Sequence, residues 1–493
     1  MPVLKLWQNN ICREIPFSGT VKLSALLQQQ GITAPHPCGG RGRCGNCAVR
    51  AEGALSEPTP AEKTAGTRLS CQITLLGDAE IRLVSDRAAV EISGNAPVPG
   101  TVMAGAYGAA VDIGTTTVAL KLYELHTGKL LSLAGALNPQ GTIAADVMGR
   151  IGAAMEGQLS ALQAMIQEQI KVLLTEVCEQ AAIALSEVGS LVVTGNTTML
   201  YLLTGRDPAC LSAAPFLADC LFDNWDALLG IPVYYPACMN AFVGADITCA
   251  VLDSGMYFKD ETALLCDIGT NGEIALWKDG KLYVTSTAAG PAFEGAGISC
   301  GCGSIPGAID KVWLEDGEIR CHTIGEQPPI GLCGSGLVDA IAVFLETGDI
   351  DETGAVEEDF LPLAGEVRLL PADVRAVQLA KGAIAAGIRT LLELANVSEA
   401  DIHTLYIAGG FGSHLNTASA AAIGLIPEKL ANRVTTLGNS ALSGAARLLL
   451  DQSLIPAARK LAQDSEHVTL SGNSRFNQHF MNAMLFGEED LLP

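Results

Sequence analysis

The stretch VDIGTTT, residues 111–117, returns as CDIGTNGE, residues 266–273, about 155 residues later in the chain. In both copies an apolar run ends in Asp-Ile-Gly-Thr, and a second apolar run follows. Glycine lets such a turn approach a phosphate closely, amides and threonine hydroxyls donate to its oxygens, and the aspartate can hold Mg²⁺ through water. Two copies a domain's length apart therefore predict a duplicated α/β unit that binds a nucleotide.

Three further stretches of small residues fit the same kind of site. LYIAGGFGSHLN, residues 405–416, is strand-like and runs into glycines that allow an adenine or ribose to lie against the backbone. VVTGNTTML, residues 192–200, and LGNSALSGAA, residues 437–446, adjoin helical patterns. The sequence contains no G-x-x-x-x-G-K-[ST] motif, which disfavours a P-loop nucleotide site.

Composition limits the class of protein. A chain of 493 residues, 49% of them hydrophobic, is long enough for several domains with their own cores. The net charge of −23 argues against nucleic-acid binding, which needs an excess of lysine and arginine. The apolar runs are shorter than the roughly 20 residues that cross a bilayer, and the N-terminus lacks a secretory signal pattern. We therefore expect a cytoplasmic protein with neither a membrane nor a nucleic-acid partner.

Four cysteines near the N-terminus predict a metal centre. Cys38, Cys44 and Cys47 have the spacing C-x5-C-x2-C, and Cys71 follows. This spacing is one residue longer than the plant-type C-x4-C-x2-C arrangement of a [2Fe-2S] cluster, and the intervening glycines allow a loop to wrap it. A structural zinc site is the alternative, although zinc ligands usually come in two short hooks. Residues 1–88 resemble a [2Fe-2S] ferredoxin with the β-grasp fold, and this resemblance makes the four cysteines the cluster ligands.

The five segments rich in small residues resemble, in their order, the superfamily of acetate and sugar kinases, heat-shock ATPases and actin. The resemblance implies an ATP cleft between two ribonuclease H-like halves. We therefore expect an α/β fold in which the ferredoxin domain precedes a duplicated ATPase of the actin and sugar kinase type. The expected boundaries are a linker at 89–108, a first ATPase half at 109–255 and a second half at 256–493.

The chemistry of these segments, together with this resemblance, gives the expected site residues. Carboxylates are the expected catalytic residues: Asp112 and Asp267 hold Mg²⁺ through water, while Asp246 and Glu273 orient the attacking water, whose proton a carboxylate can accept. The expected nucleotide ligands are the small, hydroxyl and amide residues of the five segments, Gly114, Thr115, Thr116, Thr117, Gly195, Asn196, Gly269, Thr270, Asn271, Gly272, Gly409, Gly410, Phe411, Gly412 and Asn439. The alternative is that the aspartates only end strands and the glycines only serve turns.

The whole chain resembles the reductive activators of corrinoid-dependent enzymes. The resemblance rests on a series of motifs over roughly 300 residues, namely NPQ, DVMGRI, GNTTM, DIGTNGE, AAGPAFEGAGI, GAID, LCGSGLVDAI, QLAKGAIAAGI, IAGGFG and GNSALSGA. It implies a protein that uses ATP, Mg²⁺ and a [2Fe-2S] cluster to reduce the Co(II) corrinoid of a partner methyltransferase or corrinoid protein to Co(I). It also implies a homodimer and an upstream low-potential electron donor.

Two other functions stay open. A radical dehydratase activator shares the ATPase fold, but such activators bridge a [4Fe-4S] cluster between two subunits and have no N-terminal ferredoxin. A small-molecule kinase or heat-shock-like ATPase would use the cluster only as a redox sensor. Cys300 and Cys302 invite a second redox role, but a C-x-C pair alone does not complete a cluster. We expect packing roles for these two cysteines, as for Cys266 and Cys333.

Overall fold

A computed structural model describes residues 2–8, 11–30, 47–65, 68–83, 98–411 and 414–486. Three six-stranded sheets follow one another along the chain. The predicted residues Cys38, Cys44 and Gly412 lie outside the described ranges. None of the helices in these ranges has the length and apolar character needed to cross a membrane.

The first sheet forms a small N-terminal domain. Its strand order is β2-β1-β6-β4-β5, with β3 beside β6, and β1 and β6 run parallel. Leucines of the first helix pack on alternate apolar residues of the strands, among them Leu4, Leu6 and Ile81. This is the predicted β-grasp arrangement. Its elements are β1 (Val3–Gln8), β2 (Ile11–Pro16), β3 (Val21–Lys22), α1 (Leu23–Gln29), β4 (Ala48–Leu55), α2 (Pro60–Ala65), β5 (Arg68–Leu69) and β6 (Thr74–Leu83).

The second sheet has the order β11-β12-β10-β7-β8-β9. The strands β7, β8 and β9 form an antiparallel meander, and β10 and β12 run parallel beside β7. Apolar residues of α4, spaced three and four apart, cover one face of this sheet. The elements are β7 (Tyr107–Ile113), β8 (Thr117–Glu124), β9 (Lys129–Leu137), α3 (Val147–Ala153), α4 (Leu159–Ala181), β10 (Val188–Gly195), α5 (Thr197–Thr204), β11 (Asn224–Leu228), β12 (Ile231–Tyr235) and α6 (Ala245–Ser254).

The third sheet repeats this plan with the order β22-β21-β13-β14-β15-β23. Its core elements are β13 (Ala263–Ile268), β14 (Gly272–Lys278), β15 (Lys281–Thr287), α8 (Pro371–Leu394), β21 (Thr404–Ala408), α9 (Thr417–Ala422), β22 (Val434–Gly438), α10 (Ser440–Leu450), α11 (Ile455–Asp464), β23 (Glu466–His467) and α12 (Ser474–Asn482). An insertion adds β16 (Ala308–Glu315), β17 (Glu318–Thr323), β18 (Gly331–Leu332), α7 (Gly334–Thr347), β19 (Leu361–Ala364) and β20 (Val367–Leu369).

The two larger sheets are duplicates in topology as well as in sequence. In each, a three-stranded meander is followed by two strands that run parallel to its first strand. Each Asp-Ile-Gly-Thr sequence lies where that first strand ends, so both turns reach the same kind of sheet edge. The predicted α/β fold with a duplicated ATPase is confirmed.

Helices α6 and α10 cross between the two halves. Gly444 lies at the crossing, where a Cβ atom would collide with the backbone carbonyl of Cys249. Beside it, Arg447 Nε donates to the buried Asp253 Oδ1 at 2.7 Å. Helix α10 also packs on β7 and β10, so a helix from the end of the chain completes the core of the first half.

Candidate active site

A cavity of about 250 Å³ lies between the two halves. Its walls are the two Asp-Ile-Gly-Thr turns, the end of β21 and the first turns of α6, α7 and α10. The structure thus brings together segments that the sequence analysis placed at one nucleotide site. The predicted residues on its lining are Asp112, Gly114, Thr115, Thr116, Thr117, Asn196, Asp246, Asp267, Gly269, Thr270, Asn271, Glu273, Gly409, Gly410, Phe411 and Asn439.

Two predicted nucleotide ligands do not line this cavity. A Cβ atom on Gly195 would lie 2.6 Å from the carbonyl oxygen of Ile113, and one on Gly272 would lie 2.7 Å from Thr287 Oγ1. Both glycines are therefore explained by close packing beneath the lining. Gly409 differs because it lines the cavity, and its φ of +89° and its contact with the Asp267 carboxylate both require glycine.

Buried donors fix the first turn from behind. Asn138 Nδ2 donates to the Gly114 carbonyl at 2.9 Å, and Arg150 Nη2 donates to the Thr115 carbonyl at 2.6 Å. The backbone N–H of Asn138 donates to the Thr116 carbonyl at 2.7 Å. In a trans peptide the N–H points opposite to the carbonyl, so three amides of this turn point away from these donors. NPQ and DVMGRI, two of the motifs noted in the sequence, supply this support.

Arg150 is a cation beneath the turn. Its guanidinium is 1% exposed and also donates to the Ala144 carbonyl at 3.0 Å and to Gln140 Oε1 at 3.2 Å. Burial lowers the pKa of Arg150 to about 10, and Asp146 opposes that shift. The side chain therefore stays charged at neutral pH and places a fixed positive charge behind a turn whose amides can receive an anion.

Five carboxylates converge in the cleft. Desolvation by burial is the largest cause in each case and raises the pKa of Asp112 to about 6, of Asp267 to about 7 and of Asp246 to about 8. Burial, followed by the charges of Asp246 and Asp267, raises the pKa of Glu273 well above its ordinary value. The pKa of Glu294 is also raised by burial. Such perturbed groups in a cleft are typical of an active site.

The charge of the cleft fits a magnesium nucleotide. Among the described residues that line the cavity there is no lysine or arginine. Within the described part of the chain, no three His, Cys, Asp or Glu side chains are grouped to hold a metal by themselves. Mg²⁺ usually takes one or two carboxylates and completes its shell with water and phosphate oxygens. Asp112 and Asp267, one from each half, could therefore hold Mg²⁺ together with the phosphates.

Several lining residues were not predicted as site residues from the sequence: Phe293, Glu294, Cys302, for which only a packing role was expected, Gly303, Ser304, Gly334, Ser335, His414 and Ala441. Phe293 stacks on Phe411 with ring centroids 5.0 Å apart, and a Cβ atom on Gly334 would collide with both residues. AAGPAFEGAGI and LCGSGLVDAI, already noted as motifs, contain four of these positions. Burial raises the pKa of Cys302 to about 12, which keeps its thiol protonated.

The N-terminal domain brings two predicted cluster ligands together. Cys47 and Cys71 are buried, and their Sγ atoms lie 3.2 Å apart. This lies between the about 2.05 Å of a disulfide bond and the roughly 3.8 Å between two thiolates on one tetrahedral metal. Close to Cys71 in the chain, the buried Glu62 accepts from Arg68 Nε at 2.9 Å and from the Leu69 N–H at 3.0 Å. These bonds hold the backbone that leads to Cys71. The two thiols fit one side of a cluster.

Comparisons with known proteins agree with both parts of this architecture. Residues 9–76 match the 2Fe-2S iron-sulfur cluster binding domain, residues 107–259 match the RACo middle region, and residues 261–493 match the C-terminal domain of RACo, the ASKHA domain. Over 424 residues the chain is 35% identical to corrinoid activation enzyme RamQ of Eubacterium limosum, covering 78% of this chain and 71% of that relative. The chain belongs to the family of corrinoid reductive activators.

Two more members of the corrinoid reductive activator family are similar. A [Co(II) methylated amine-specific corrinoid protein] reductase of Methanosarcina barkeri is 26% identical over 422 residues, or 76% of each chain. A solved reductive activator for corrinoid,iron-sulfur protein is 27% identical with a TM-score of 0.72, covering 98% of both chains. The predicted family and the predicted [2Fe-2S] and ATP cofactors are confirmed, whereas the domain boundaries and individual site residues stay predictions.

Proposed function

We propose that this chain is an ATP-dependent reductive activator that passes one electron from its [2Fe-2S] cluster to the inactive Co(II) corrinoid of a partner protein. The reduced cluster is oxidised by one electron, and cobalt is reduced to Co(I), the state that accepts a methyl group. The observation that carries the proposal is the match to a solved reductive activator over 98% of both chains.

The need for ATP follows from the potentials. Plant-type clusters have potentials of about −400 mV, and Co(II) that keeps an axial ligand is harder to reduce than such a donor allows. ATP can favour a complex in which this ligand is displaced, because a ligand shifts an equilibrium by its differential affinity for the two states. In this scheme no electron passes through ATP, and the nucleotide acts on the complex with the partner.

The roles in the cleft are part of the proposal. Asp112 and Asp267 face the nucleotide from opposite halves and hold Mg²⁺ through water. Asp246 and Glu273 line the same cavity and orient the attacking water. Burial raises the pKa of both carboxyls, to about 8 for Asp246, which makes them stronger proton acceptors than ordinary carboxylates. The two turns and the glycines of residues 405–416 hold the nucleotide itself. Cys47 and Cys71 hold the cluster together with Cys38 and Cys44.

The finer features of the proposal are a homodimer in the cytoplasm, fed by a low-potential electron donor, with the ATPase divided into halves at 109–255 and 256–493. The duplicated sheets support the division, because each half has its own meander and core. Light scattering of the purified protein tests the dimer, and limited proteolysis tests the boundaries.

The deciding experiment mixes the reduced protein with a Co(II) corrinoid protein and records the corrinoid spectrum with and without MgATP. Co(I) is expected to form at a useful rate only when ATP is present. The proposal would be excluded if Co(I) formed at the same rate without ATP. It would also be excluded if no Co(I) formed with any corrinoid protein in a panel. Asp267→Asn should abolish the ATP effect and leave the cluster spectrum intact, whereas the exposed Asp279→Asn serves as its control.

A further inference from the structure

Glu294 joins the two Asp-Ile-Gly-Thr turns, which the proposed function makes the phosphate-binding turns. It ends a single-turn 3-10 helix, Ala292–Glu294, in the second half. Its Oε2 accepts from Thr116 Oγ1 at 2.8 Å and from Thr270 Oγ1 at 3.0 Å, and the two hydroxyl oxygens are 3.3 Å apart. Since Thr116 belongs to the first turn and Thr270 to the second, one carboxylate oxygen holds a hydroxyl from each half.

These hydroxyls are also the donors that the proposed function assigns to nucleotide phosphates, so the inference rests on that function. A threonine hydroxyl has one proton to donate, which can go to Glu294 or to a phosphate oxygen but not to both. An ionised carboxylate beside a phosphate also repels it, and no lysine or arginine is among the described residues that line the cavity, Arg150 being buried behind the first turn. We propose that Glu294 competes with the nucleotide phosphates for Thr116 and Thr270 and thereby weakens ATP binding.

The competition has a direction that separates it from a catalytic or merely structural role. Removal of a catalytic or metal-holding carboxylate weakens binding or hydrolysis, whereas removal of a competitor tightens binding. Because the two hydroxyls are the proposed donors to phosphate oxygens, removal of Glu294 should tighten the binding only of ligands that carry phosphates. Adenosine, which carries none, should bind the wild-type protein and the variants equally.

The test measures calorimetric Kd values for MgATP and for adenosine in wild type, Glu294→Ala and Glu294→Gln. Glu294→Ala should bind MgATP about fivefold more tightly or better, the equivalent of about one ordinary hydrogen bond. Glu294→Gln keeps an acceptor without the charge and should fall between. Glu326→Ala, an exposed glutamate that also ends a single-turn 3-10 helix, should match wild type.

Unchanged or weaker ATP binding in both Glu294 variants, or equal tightening for adenosine, overturns the competition. Wild-type protein that binds no ATP would instead overturn the proposed function, and the inference with it. Glu294→Gln also covers the case in which the alanine variant does not fold.

A second, independent observation concerns the chain that enters the ATPase from the cluster domain. The predicted linker at 89–108 is not free at its end: strand β7 already begins at Tyr107, and the residues before it are bound to the end of α10. Gly100 and Met103 donate backbone N–H groups to the carbonyls of Leu450 and Leu449 at 2.9 and 3.1 Å.

Side chains strengthen this attachment. Asp451 Oδ1 accepts from the Thr101 N–H at 3.1 Å, and Gln452 Nε2 donates to the Val102 carbonyl at 2.7 Å. Met103 is 2% exposed and packs in the core that α10 shares with the second sheet. The linker end and the C-terminal end of α10 therefore form one packed unit.

The other end of α10 lies in the nucleotide cleft. Asn439 caps the helix by accepting from the Leu442 N–H at 2.8 Å, and its Nδ2 donates to Asp112 Oδ2 at 2.9 Å. A helix of 11 residues is a rod of about 16 Å. We infer that α10 transmits nucleotide occupancy from Asp112 to the linker and so alters the position of the cluster domain.

The test uses Asp451→Ala and Gln452→Ala, which weaken the linker attachment away from the cleft. ATP stimulation of Co(II) reduction should fall by about fivefold or more, while ATP hydrolysis and the cluster spectrum stay at wild-type levels. Asp207→Ala removes the same type of cap from another 3-10 helix and should leave the stimulation unchanged. Full stimulation in both linker variants overturns the inference.

Hydrogen exchange on wild-type protein gives a reading that does not depend on any variant. Protection of the Gly100 and Met103 amides should change when MgATP binds, and identical protection with and without MgATP overturns the inference. Wild-type protein that shows no ATP stimulation at all contradicts the proposed function instead.

Discussion

Arg150 donates to the backbone carbonyl of Thr115 at 2.6 Å while its own side chain is almost completely withdrawn from solvent. Its other acceptors include the Ala144 carbonyl and Gln140 Oε1, so most of its donors are used on neutral groups. A buried charge costs much free energy when it loses its hydrogen-bond acceptors. The groups that accept from Arg150 are therefore held in place. The conformation of the first phosphate turn therefore depends on one cation behind it.

Arg150→Lys should weaken MgATP binding by about tenfold or more and lower the free energy of unfolding by about 3 kcal/mol, because lysine cannot reach the same acceptors. Calorimetry and urea unfolding measure the two effects. The exposed Arg206→Lys is the matched control and should change neither quantity. ATP affinity that survives Arg150→Lys would show that the turn holds its shape without the guanidinium.

The cleft carboxylates predict a pH-dependent stability. Asp112, Asp267 and Asp246 have pKa values of about 6, 7 and 8, against an ordinary value of 3.8. At pH values between the ordinary pKa and the raised pKa of each group, the folded protein holds a proton that the unfolded chain has released. The free energy of unfolding therefore falls as pH rises. Without Mg²⁺ and nucleotide, it should fall between pH 5.5 and 8.5 by at least about 1.4 kcal/mol, the equivalent of one pKa unit.

Asp246→Asn should reduce this pH-dependent loss of stability. The substitution removes a charge that repels the carboxylates of Asp112, Asp267 and Glu273. Urea unfolding followed by tryptophan fluorescence at the two pH values measures it. Equal stability of the wild-type protein at both values would mean that the carboxylates are ionised without cost in the cleft.

Gly444→Ala should destabilise the protein by about 1–3 kcal/mol or more, because the added methyl group overlaps the Cys249 carbonyl where α6 and α10 cross. Gly152→Ala is the control: it lies in α3 with open space around the new Cβ atom and should be neutral or slightly stabilising. Urea midpoints compare the two variants. A crossing that tolerates alanine without loss would indicate that the helices can separate freely.

Cys71→Ala should abolish iron binding and the visible absorbance of the cluster, because it removes one of two thiols that lie 3.2 Å apart. ATP hydrolysis should persist, since the cleft is built by other sheets. Iron analysis, absorbance and phosphate release are the measurements. Cys12→Ala, which changes an exposed cysteine of the same domain, should keep the cluster. A colourless wild-type protein with stoichiometric zinc would contradict the cluster.

The sequence was sufficient for the features that are written locally. Two Asp-Ile-Gly-Thr repeats predicted the duplicated sheets, and the cysteine spacing predicted a cluster domain whose described thiols meet. The carboxylates Asp246 and Glu273, predicted from the sequence as catalytic residues, line the cleft, and their roles stay predictions. Residues that act on a nucleotide through short turns leave local patterns, and those patterns were readable.

Contacts made across long stretches of chain were not readable. Arg150 reaches a carbonyl of a turn 35 residues earlier, and Glu294 reaches a hydroxyl 178 residues earlier. Every residue has a backbone carbonyl, so the sequence does not show which carbonyl a distant side chain will donate to. The attachment of the linker end to α10 was not predicted either, because Thr101 and its partner Asp451 are 350 residues apart.

The cover that α10 gives to the first half also constrains how the protein is made. The faces of β7 and β10 that α10 covers stay open until the ribosome has synthesised residues 440–450, and α11, whose Ala458 packs in the same core, follows later still. Contacts between such distant segments form slowly during folding. The first half is thus expected to remain incomplete for most of translation, and a chain that stops before residue 440 should be prone to aggregation.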